Sequence, residues 1–444
     1  MSTEISECHG QVRENAKPEH PPGPTLNFAG RSGDVVSPQL LGLSGVGGFF
    51  AAWSLARFIG ISDTAFTVLL FLVGASLPMI TLSFFANKTY LRITTGLSSH
   101  KQSPVNIVRV GTKLLGLAAT LGPLATAYWL FPEYARDFYR PAWEIITYAA
   151  FPVSVLAVVY FFWADQRMFA PYDAYWHVGS IVLGRGMPSE QALIKQHALA
   201  WIVKGFFLPL MLTGAAETLS FFSSKGFEFD NFEGLYITVL TFIFSLDVTF
   251  GAIGYSLTLR ALDSHVRSTE STPMGWLSAV ICYTPFSTFI WGSFLKYKGK
   301  IQWYQWLESY PILYISWGFA ILILLSVYVW ATVSFGCRFS NLTHRGIIVD
   351  GPYRFIRHPA YVSKNLAWWM MYVPFVAHQE WQAALKGCIC LFLTNVIYAI
   401  RAKTEERHLR ADPAYGEYCR LVEENGLLAQ LRHLPLFRKE NRAE

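Results

Sequence analysis

The sequence predicts an all-α, polytopic bundle of transmembrane helices with short cytoplasmic helices near its C-terminus. Two observations support this fold class: long uncharged stretches and an uneven distribution of basic residues. Residues 309–337 and 277–295 contain no charged residue, and the chain of 444 residues is only 15% charged. A run of about 18–20 apolar residues is long enough to cross the hydrocarbon core as a helix. The alternating apolar and polar positions typical of transmembrane barrel strands are not found in the sequence.

Apolar runs predict ten membrane helices, and the charges between them predict the orientation. Lys and Arg accumulate in every second loop, which places both termini in the cytoplasm because cytoplasmic loops carry surplus basic residues. Lys296, Lys298 and Lys300 are the exception to this pattern. The formal charge of +6 is therefore a topology signal, and no nucleic-acid partner is expected. The expected spans are 39–59, 64–86, 107–131, 143–163, 199–222, 235–257, 276–295, 311–335, 360–377 and 381–400.

The N-terminal segment and the cysteines limit which other structural features the chain is expected to contain. Residues 1–37 hold several prolines, glycines and charges and no apolar run, so they are expected to form a disordered cytoplasmic tail. The six cysteines are scattered without CxxC spacing, so neither a metal site nor a disulfide framework is expected.

The densest polar cluster lies between two apolar runs, in the stretch DGPYRFIRHPAYVSKN at 350–365. Its first three residues are a turn signal. Pro359 suits the first turn of a helix, where a missing backbone N–H costs no hydrogen bond. A helix is therefore predicted to begin at His358-Pro359 and to run into the membrane.

This predicted helix start has the chemistry of an anion site. The first N–H groups of a helix are unpaired and carry a partial positive charge, which favours a carboxylate or phosphate. Arg354, Arg357 and His358 surround it, and Tyr361 adds an aromatic face that can stack on a purine. The alternative is that these basic residues only set topology or contact lipid phosphates, and local chemistry alone favours that alternative.

A second polar segment follows the last expected span, in the stretch RAKTEERHLRADPAYGEYCRLV at 401–422. Residues 401–410 are predicted to form a short interfacial helix with i,i+4 pairs along one face. Asp412 and Pro413 suit the N-cap and the first position of another helix, which is expected to end at about 424–426. Taken alone, the segment is better explained as a solvated surface helix.

Together the two segments carry a more specific pattern. GPYR is followed by RHPxY, a membrane hairpin, an Arg–x3–Glu-Glu–x2–Leu segment and a Tyr–x2–Tyr pair. This order resembles the membrane methyltransferases that include isoprenylcysteine carboxyl methyltransferases and phospholipid N-methyltransferases. The resemblance covers about residues 315–435. The matching residues are Gly351, Pro352, Tyr353, Arg354, Arg357, His358, Pro359, Tyr361, Glu405, Glu406, Leu409, Tyr415 and Tyr418.

The resemblance implies a site for S-adenosylmethionine on the cytoplasmic face. In that family the cofactor enters from the cytoplasm, and the apolar acceptor enters through an opening between helices. The methionine carboxylate is expected at the helix start, the adenosine beside Tyr361, and the cofactor's amino group and ribose beside Glu405 or Glu406. Arg357 and Glu405 are the expected catalytic residues. The expected cofactor-binding residues are Tyr353, Arg354, Arg357, His358, Pro359, Tyr361, Glu405 and Glu406.

The methyl acceptor is expected to be a membrane lipid or a lipidated molecule, and the resemblance is nearest to enzymes that methylate the carboxylate of a prenylated cysteine. A carboxylate acceptor needs no base, whereas an amine or thiol must lose a proton, and the sequence offers no convincing base. Lys364, Asp247 and Arg401 are the expected substrate contacts. Asp247 is equally explained by an interhelical hydrogen bond that fixes packing. Ser363 replaces a glycine that is common in relatives, which leaves the acceptor class open.

The chain is longer than this family requires. Residues 301–444 are expected to form the methyltransferase core, and residues 38–300 to form helices that shape an acceptor cavity or a partner interface. The polar stretch 257–276 is expected on the same face as the motifs. A solvated loop is the favoured interpretation, and an acceptor headgroup site made by Arg260, Asp263, His265 and Arg267 is the alternative. The sequence does not fix the oligomeric state.

Two other functions are compatible with the pattern. A sterol-type membrane reductase has a similar number of helices and a similar His-Pro-x-Tyr segment, but it binds NADPH, and the adjacent Glu405 and Glu406 would repel the phosphates. A transporter or scaffold with a degenerate C-terminal site is the other alternative. The absence of inverted repeats and of paired broken helices argues against transport.

Overall fold

The computed structural model describes residues 26–27, 30–31, 34–185, 191–224, 228–295, 302–376 and 381–432. The tail expected at 1–37 falls almost entirely outside these ranges, as do Lys296, Lys298 and Lys300 and most of the turn expected between the last two spans. Within these ranges the helices are α1 (Pro38–Ile59), α2 (Thr64–Thr81), α3 (Ile107–Leu130), α4 (Arg140–Asp165), α5 (Ala174–Val182), α6 (Gln191–Ser224), α7 (Phe232–Ser256), α8 (Pro273–Val280), α9 (Phe286–Phe289), α10 (Trp303–Leu307), α11 (Pro311–Phe335), α12 (Pro359–Tyr372), α13 (Trp381–Leu409), α14 (Pro413–Asn425) and α15 (Leu427–Arg432).

Strands contribute only two short ribbons to the described chain. β1 (Leu26–Asn27) pairs antiparallel with β2 (Gly30–Arg31), and β3 (Ser268–Thr269) pairs antiparallel with β4 (Thr343–His344). The predicted all-α bundle is therefore confirmed as the fold class.

Eight helices among the described residues are long and apolar enough to cross a membrane, which supports an integral membrane protein. Seven of these eight spans have fewer than half of their residues buried inside the protein. The α4 span, for example, is only 11% buried, as expected for a helix that faces lipid. The spans are Pro38–Ile59, Thr64–Ala86, Ile107–Leu130, Asp137–Asp165, Gln191–Phe222, Phe232–Ser256, Pro311–Arg338 and Trp381–Leu409.

The structure corrects two of the ten expected spans. The run expected at 276–295 is broken, because α8 ends at Val280 and α9 begins only after Pro285. Proline lacks the N–H group that would continue the first helix. The run expected at 360–377 holds α12, a helix of 14 residues that ends where Val373 adopts a left-handed conformation with φ 35°. Each helix is too short to cross the bilayer alone.

The last long helix is more extended than predicted. α13 is continuous from Trp381 to Leu409, so no separate interfacial helix begins at Arg401. No glycine or proline occurs between residues 388 and 411, and its last turns are rich in Glu, Lys and Arg, which are good helix formers.

Two helix starts follow the predicted local chemistry. α12 begins with Pro359 at its first position. α14 begins with Pro413, and Asp412 caps it by accepting a hydrogen bond from the N–H of Ala414 at 3.0 Å. Gly426 follows the last residue of α14, within the expected range.

The centre of the bundle lies where α7 packs against α6 and α11. The α7 span is 56% buried, more than any other described span. Its glycines permit close approach, since a Cβ on Gly254 would lie 2.2 Å from the carbonyl oxygen of Phe339. The end of α7 is thereby fixed against the segment that follows α11. We call this end of the bundle, where α7, α11 and α13 finish and α12 begins, the site end.

At the site end, Arg345 joins the end of α7 and the loop after it to the segment that follows α11. Its side chain is buried, and the guanidinium donates to five backbone carbonyl oxygens at 2.6–3.1 Å. Beside it, β3 from the loop after α7 pairs with β4 from the segment after α11. The loop between α7 and α8 is therefore built into the same body as the start of α12. The five acceptors are the carbonyl oxygens of Gly254, Leu257, Ser264, Cys337 and Phe339.

Candidate functional site

The candidate site forms where the first turn of α12 meets the last turns of α13. His358 is the N-cap residue of α12, and Pro359 occupies the first helical position. The His358 side chain makes no capping hydrogen bond to the helix. The first N–H groups of α12 are therefore available to an anion, as the sequence predicted.

Two adjacent glutamates of α13 contact this first turn. Tyr361 donates its hydroxyl to Oε2 of Glu405 at 2.8 Å. Nε2 of His358 lies 3.1 Å from Oε1 of Glu406. The rings of His358 and Tyr361 are nearly parallel, with an interplanar angle of 5° and centroids 5.4 Å apart. The structure thus brings four of the predicted site residues together.

Arg357 extends the cluster to α14. Its guanidinium lies 3.6 Å from Glu406 and 3.8 Å from Glu423, and Nη1 lies 3.7 Å from Sγ of Cys419. Glu406 therefore lies within ion-pairing distance of two arginines, Arg357 and, at 3.9 Å, Arg410. Glu405 differs, because the described residues place no cation within ion-pairing distance of it.

Arg401 lies on α13 within a cage of aromatic rings. Only 6% of its surface is exposed. Its guanidinium carbon lies 5.3 Å from the ring centroid of Tyr361, 5.5 Å from that of Tyr283 and 5.9 Å from that of Tyr398. One Nη group donates to Oδ1 of Asn341 at 2.5 Å.

The charge of Arg401 has no carboxylate partner within ion-pairing distance among the described residues. An unpaired buried charge is costly, and buried charges are normally paired. The three tyrosine faces offset part of this cost through cation–π attraction. The cage is therefore suited to hold an anionic group of a ligand.

Sequence reasoning missed three members of this cage: Tyr283, Tyr398 and Asn341. Tyr398 carried a usable signal, because it lies three residues before Arg401 and so shares its helix face. Tyr283 and Asn341 carried none, since they come from the broken segment after α8 and from the loop after α11.

Three tyrosines lie beside the glutamates on the α14 side. Burial, and to a smaller extent the negative charge of Glu405, raises the pKa of Tyr353, Tyr415 and Tyr418. Their hydroxyls therefore stay protonated and can donate hydrogen bonds at neutral pH. Tyr418 donates to the carbonyl oxygen of Tyr353 at 3.0 Å, which fixes α14 against the GPYR turn.

Arg354 acts on the carboxylate of Asp350. Its side chain is exposed and is close to Asp350. Burial raises the pKa of Asp350, and the positive charge of Arg354 partly offsets that rise. Arg354 is thus an expected cofactor residue whose positive charge acts on Asp350.

Asp247 and Lys364, two of the expected substrate contacts, both contact Tyr328 of α11. Asp247 accepts hydrogen bonds from the hydroxyl of Tyr328 and, at 2.7 Å, from that of Thr332. This geometry favours the packing interpretation of Asp247, because both its oxygens bond α11. The Lys364 ammonium lies 4.8 Å from the ring centroid of Tyr328 and 5.4 Å from that of Trp368.

The polar stretch at 257–276 is neither a solvated loop nor an open headgroup site. Asp263 is fully buried and pairs with Arg92 and with Arg267, each at 3.0 Å. Arg260 donates to the carbonyl oxygen of Thr95 at 2.9 Å. These contacts bind the loop to the segment between α2 and α3.

A cavity of about 480 Å³ lies at the opposite end of the bundle, around the start of α4. The two arginines that line it are paired, Arg136 with Glu133 and Arg140 with Glu144, each at 3.0 Å. The cavity shares no residue with the predicted site. The candidate site is therefore the cluster where α12 meets α13, and this cavity is not part of it.

Comparison with known families agrees with the sequence pattern. Residues 313–411 match the model of the Isoprenylcysteine carboxyl methyltransferase (ICMT) family. The match spans most of α11 and all of α12 and α13, and so includes His358, Tyr361, Glu405 and Glu406, but it ends before α14 and covers less than a quarter of the chain. No curated protein and no solved structure matches the chain. The family match supports a membrane methyltransferase.

Proposed function

We propose that this chain, whose residues 313–411 match the isoprenylcysteine carboxyl methyltransferase family, transfers a methyl group from S-adenosylmethionine to the carboxylate of a membrane-dissolved acceptor of the isoprenylcysteine type. The observation that carries the proposal is the contact between α12 and α13. Tyr361 meets Glu405 at 2.8 Å, and His358 meets Glu406 at 3.1 Å. These contacts bring together residues of α12 and α13 that are far apart in the sequence.

The charges of this cluster complement those of S-adenosylmethionine. The uncapped N–H groups of α12, together with Arg357, would hold its carboxylate. Glu405, which has no cation beside it among the described residues, would accept its ammonium group. When bound, the cofactor supplies an electrophilic methyl group on a sulfonium, so the protein mainly has to position the partners and exclude water.

Arg401 is suited to hold the acceptor carboxylate. A carboxylate arrives ionised and needs no general base, which agrees with the lack of a convincing base in the sequence. The aromatic cage excludes water around Arg401, and electrostatic attraction is stronger in such surroundings than in water. An amine acceptor, by contrast, would arrive as a cation and would be repelled by Arg401.

The proposal puts the acceptor's apolar chain against the lipid side of α12. Val362 and Leu366 on that helix are 48% and 50% exposed, which leaves an apolar surface next to the site. The surplus of Lys and Arg in the loops of that side supports a cytoplasmic location for the cofactor site. Both substrates would then meet at the site end without either crossing the membrane.

The first experiment is a binding titration of the purified protein with radiolabelled S-adenosylmethionine and, separately, with NADPH. Wild type is compared with His358→Ala and Glu405→Gln. We expect saturable S-adenosylmethionine binding that each substitution weakens about tenfold or more, because a hydrogen bond to a charged group contributes about 1.5–3 kcal/mol. The labelled methyl group would next be followed into the lipid and protein fractions of membranes.

Matched controls separate the site from general damage. Glu424→Gln removes a glutamate that is exposed on α14 and pairs with Arg420 at 3.1 Å, and it should bind S-adenosylmethionine as wild type does. His100→Ala removes an exposed histidine and should behave likewise. Binding of NADPH instead of S-adenosylmethionine by folded protein would replace this proposal with a reductase.

A further inference from the structure

A polar link crosses three helices next to the candidate site. It runs from Asp247 on α7 through Tyr328 on α11 to Lys364 on α12. Asp247 lies outside the region that matches the methyltransferase family, which begins at residue 313. The link therefore connects the N-terminal helices to the helix that carries His358 and Tyr361.

Asp247 is a positioning residue within this link. One oxygen accepts from Tyr328 and the other from Thr332 at 2.7 Å, so the carboxylate bonds to α11 rather than facing a ligand. Tyr328 and Thr332 are four residues apart and lie on one face of α11. Asp247 thus fixes the orientation of the Tyr328 ring against which Lys364 lies.

Lys364 presents a partly buried ammonium group to that ring. It lies between the faces of Tyr328 and Trp368, at 4.8 and 5.4 Å from their centroids. The described residues provide neither a hydrogen-bond acceptor nor a carboxylate for this ammonium group. Aromatic faces offset only part of the cost of burying a cation, so an anionic ligand would bind here favourably.

Lys364 and Arg401 approach two rings that contact each other. The ring centroid of Trp368, beside Lys364, lies 5.4 Å from that of Tyr398, and the guanidinium carbon of Arg401 lies 5.9 Å from the centroid of Tyr398. Lys364 also lies three residues after Tyr361 on α12, so the two side chains share one face of the helix. An amphiphile that lies along α12 with its head at the site end would therefore meet Lys364.

We propose that Lys364 is a specificity-determining cation that selects acceptors with an anionic group, a carboxylate or a phosphate on an apolar chain, and that Asp247 of α7 positions it through Tyr328. The inference rests on the proposed methyltransferase function and adds to it a role for the N-terminal helices. Those helices complete the acceptor site through Asp247. Selection arises because an anionic head can pair with the ammonium group of Lys364, whereas a neutral or cationic head cannot.

The test compares ligands that differ in the charge of the head. Radiolabelled oleate, dioleoyl phosphatidic acid and oleyl alcohol are titrated into the full-length protein in phosphatidylcholine nanodiscs. We expect wild type to bind the two anions more tightly than the alcohol. Lys364→Met should lower the anion-to-alcohol affinity ratio about tenfold, the effect of losing one charge-assisted hydrogen bond, and Lys364→Arg should retain most of the ratio. A preference for oleate alone identifies a carboxylate head, and a preference for phosphatidic acid alone a phosphate head; either supports the selection of anions.

Asp247 is tested by the same ratio. Asp247→Leu should lower it as Lys364→Met does, whereas Asp247→Asn keeps an oxygen acceptor for α11 and should lower it less. In the double variant Lys364→Met, Asp247→Leu, the two effects should not add, because Asp247 acts through Lys364. A purely structural role would change thermal stability in Asp247→Leu without changing the ratio, and that result would overturn the proposal.

Lys204→Met is the matched control. Lys204 lies on membrane helix α6, 4.4 Å from the ring centroid of Trp201, and donates to the hydroxyl of Thr258 at 2.6 Å; among the described residues it contacts neither α12 nor α13. Its variant should keep the wild-type ratio. S-adenosylmethionine binding is measured on every protein, since failure of wild type to bind it refutes the proposed function. An unchanged ratio in Lys364→Met that still binds S-adenosylmethionine refutes only this inference.

Discussion

Glu405 and Glu406 are consecutive residues, yet each contacts a different partner. Successive residues of an α-helix point about 100° apart, so the two carboxylates diverge from α13. On the facing segment, His358 and Tyr361 are three positions apart and their rings lie side by side, 5.4 Å between centroids. The adjacent pair can therefore reach both rings at once. Loss of one glutamate should release one ring and leave the other in place.

His265 makes the stability of the protein depend on pH. Burial, and next the positive charge of Arg260, lowers the pKa of His265 to about 3 from its ordinary 6.5. Its Nδ1 is buried without a hydrogen-bond partner among the described residues. The unfolded chain thus binds a proton at higher pH than the folded protein. The stability that His265 contributes is complete above pH 6.5 and is lost as pH falls from there toward 3, by at most about 1.4 kcal/mol per pH unit.

The measurement is thermal unfolding in detergent at pH 7.5 and 5.5, values at which most carboxylates remain ionised. We expect wild type to lose stability between these two values, and His265→Gln to lose markedly less. His100→Gln, which removes an exposed histidine, should keep the wild-type loss. Equal losses in wild type and His265→Gln would show that other groups cause the pH dependence.

At the scale of elements, the breaks between helices at the site end supply part of the site. The broken segment after α8 supplies Tyr283 to the Arg401 cage, and the loop after α11 supplies Asn341. In a continuous helix through 276–295, successive side chains would point about 100° apart around the axis, and the chain would not change direction after α8. The interruption at Pro285 therefore contributes to the site.

Gly254 is the element-scale test of this packing. A Cβ at this position would lie 2.2 Å from the carbonyl oxygen of Phe339, so Gly254→Ala must push α7 away from the segment that carries Asn341. We expect a loss of about 1–3 kcal/mol, as is typical of overpacked positions, seen as a lower melting temperature. Gly47→Ala is the control, because nothing lies within 4 Å of its added Cβ, and it should not destabilise the protein. A Gly254→Ala variant as stable as Gly47→Ala would contradict this packing.

At the scale of the whole molecule, Arg345 ties the N-terminal helices to the matched region. Its guanidinium donates to five carbonyl oxygens from both parts of the chain. Arg345→Met would leave several of them buried without a donor, each at a cost of about 1–3 kcal/mol. We expect a loss of about 3 kcal/mol or more in thermal stability and faster tryptic cleavage at Arg260 and Arg267, because the loop after α7 would be released.

Arg420→Met is the control for that variant. Arg420 is 62% exposed and pairs only within α14, so its loss should cost about 0.5 kcal/mol or less. Cleavage at the loop after α7 should be as slow as in wild type. If Arg345→Met were as stable and as resistant as Arg420→Met, the two parts of the chain would be held together by other contacts.

The sequence by itself determined the features that depend on local chemistry. Apolar run length predicted the membrane bundle, and Pro359, Asp412 and Pro413 predicted the starts of α12 and α14, because capping and proline effects act within one turn. The pattern from Gly351 to Tyr418 also identified the polar residues that the structure gathers at the site end. The family match then fell on the same part of the chain.

Only the tertiary structure decided what depends on distant partners. It showed that Arg401 lies among the rings of three tyrosines, Tyr283, Tyr361 and Tyr398. It also showed that Asp247 accepts a hydrogen bond from Thr332 of α11, which lies 85 residues further along the chain. It also showed that the run at 276–295 is interrupted, although its apolar composition satisfies the length rule. Composition measures how well a segment suits lipid, but the direction of a side chain and the partner it meets are set by the packing of helices that are far apart in sequence.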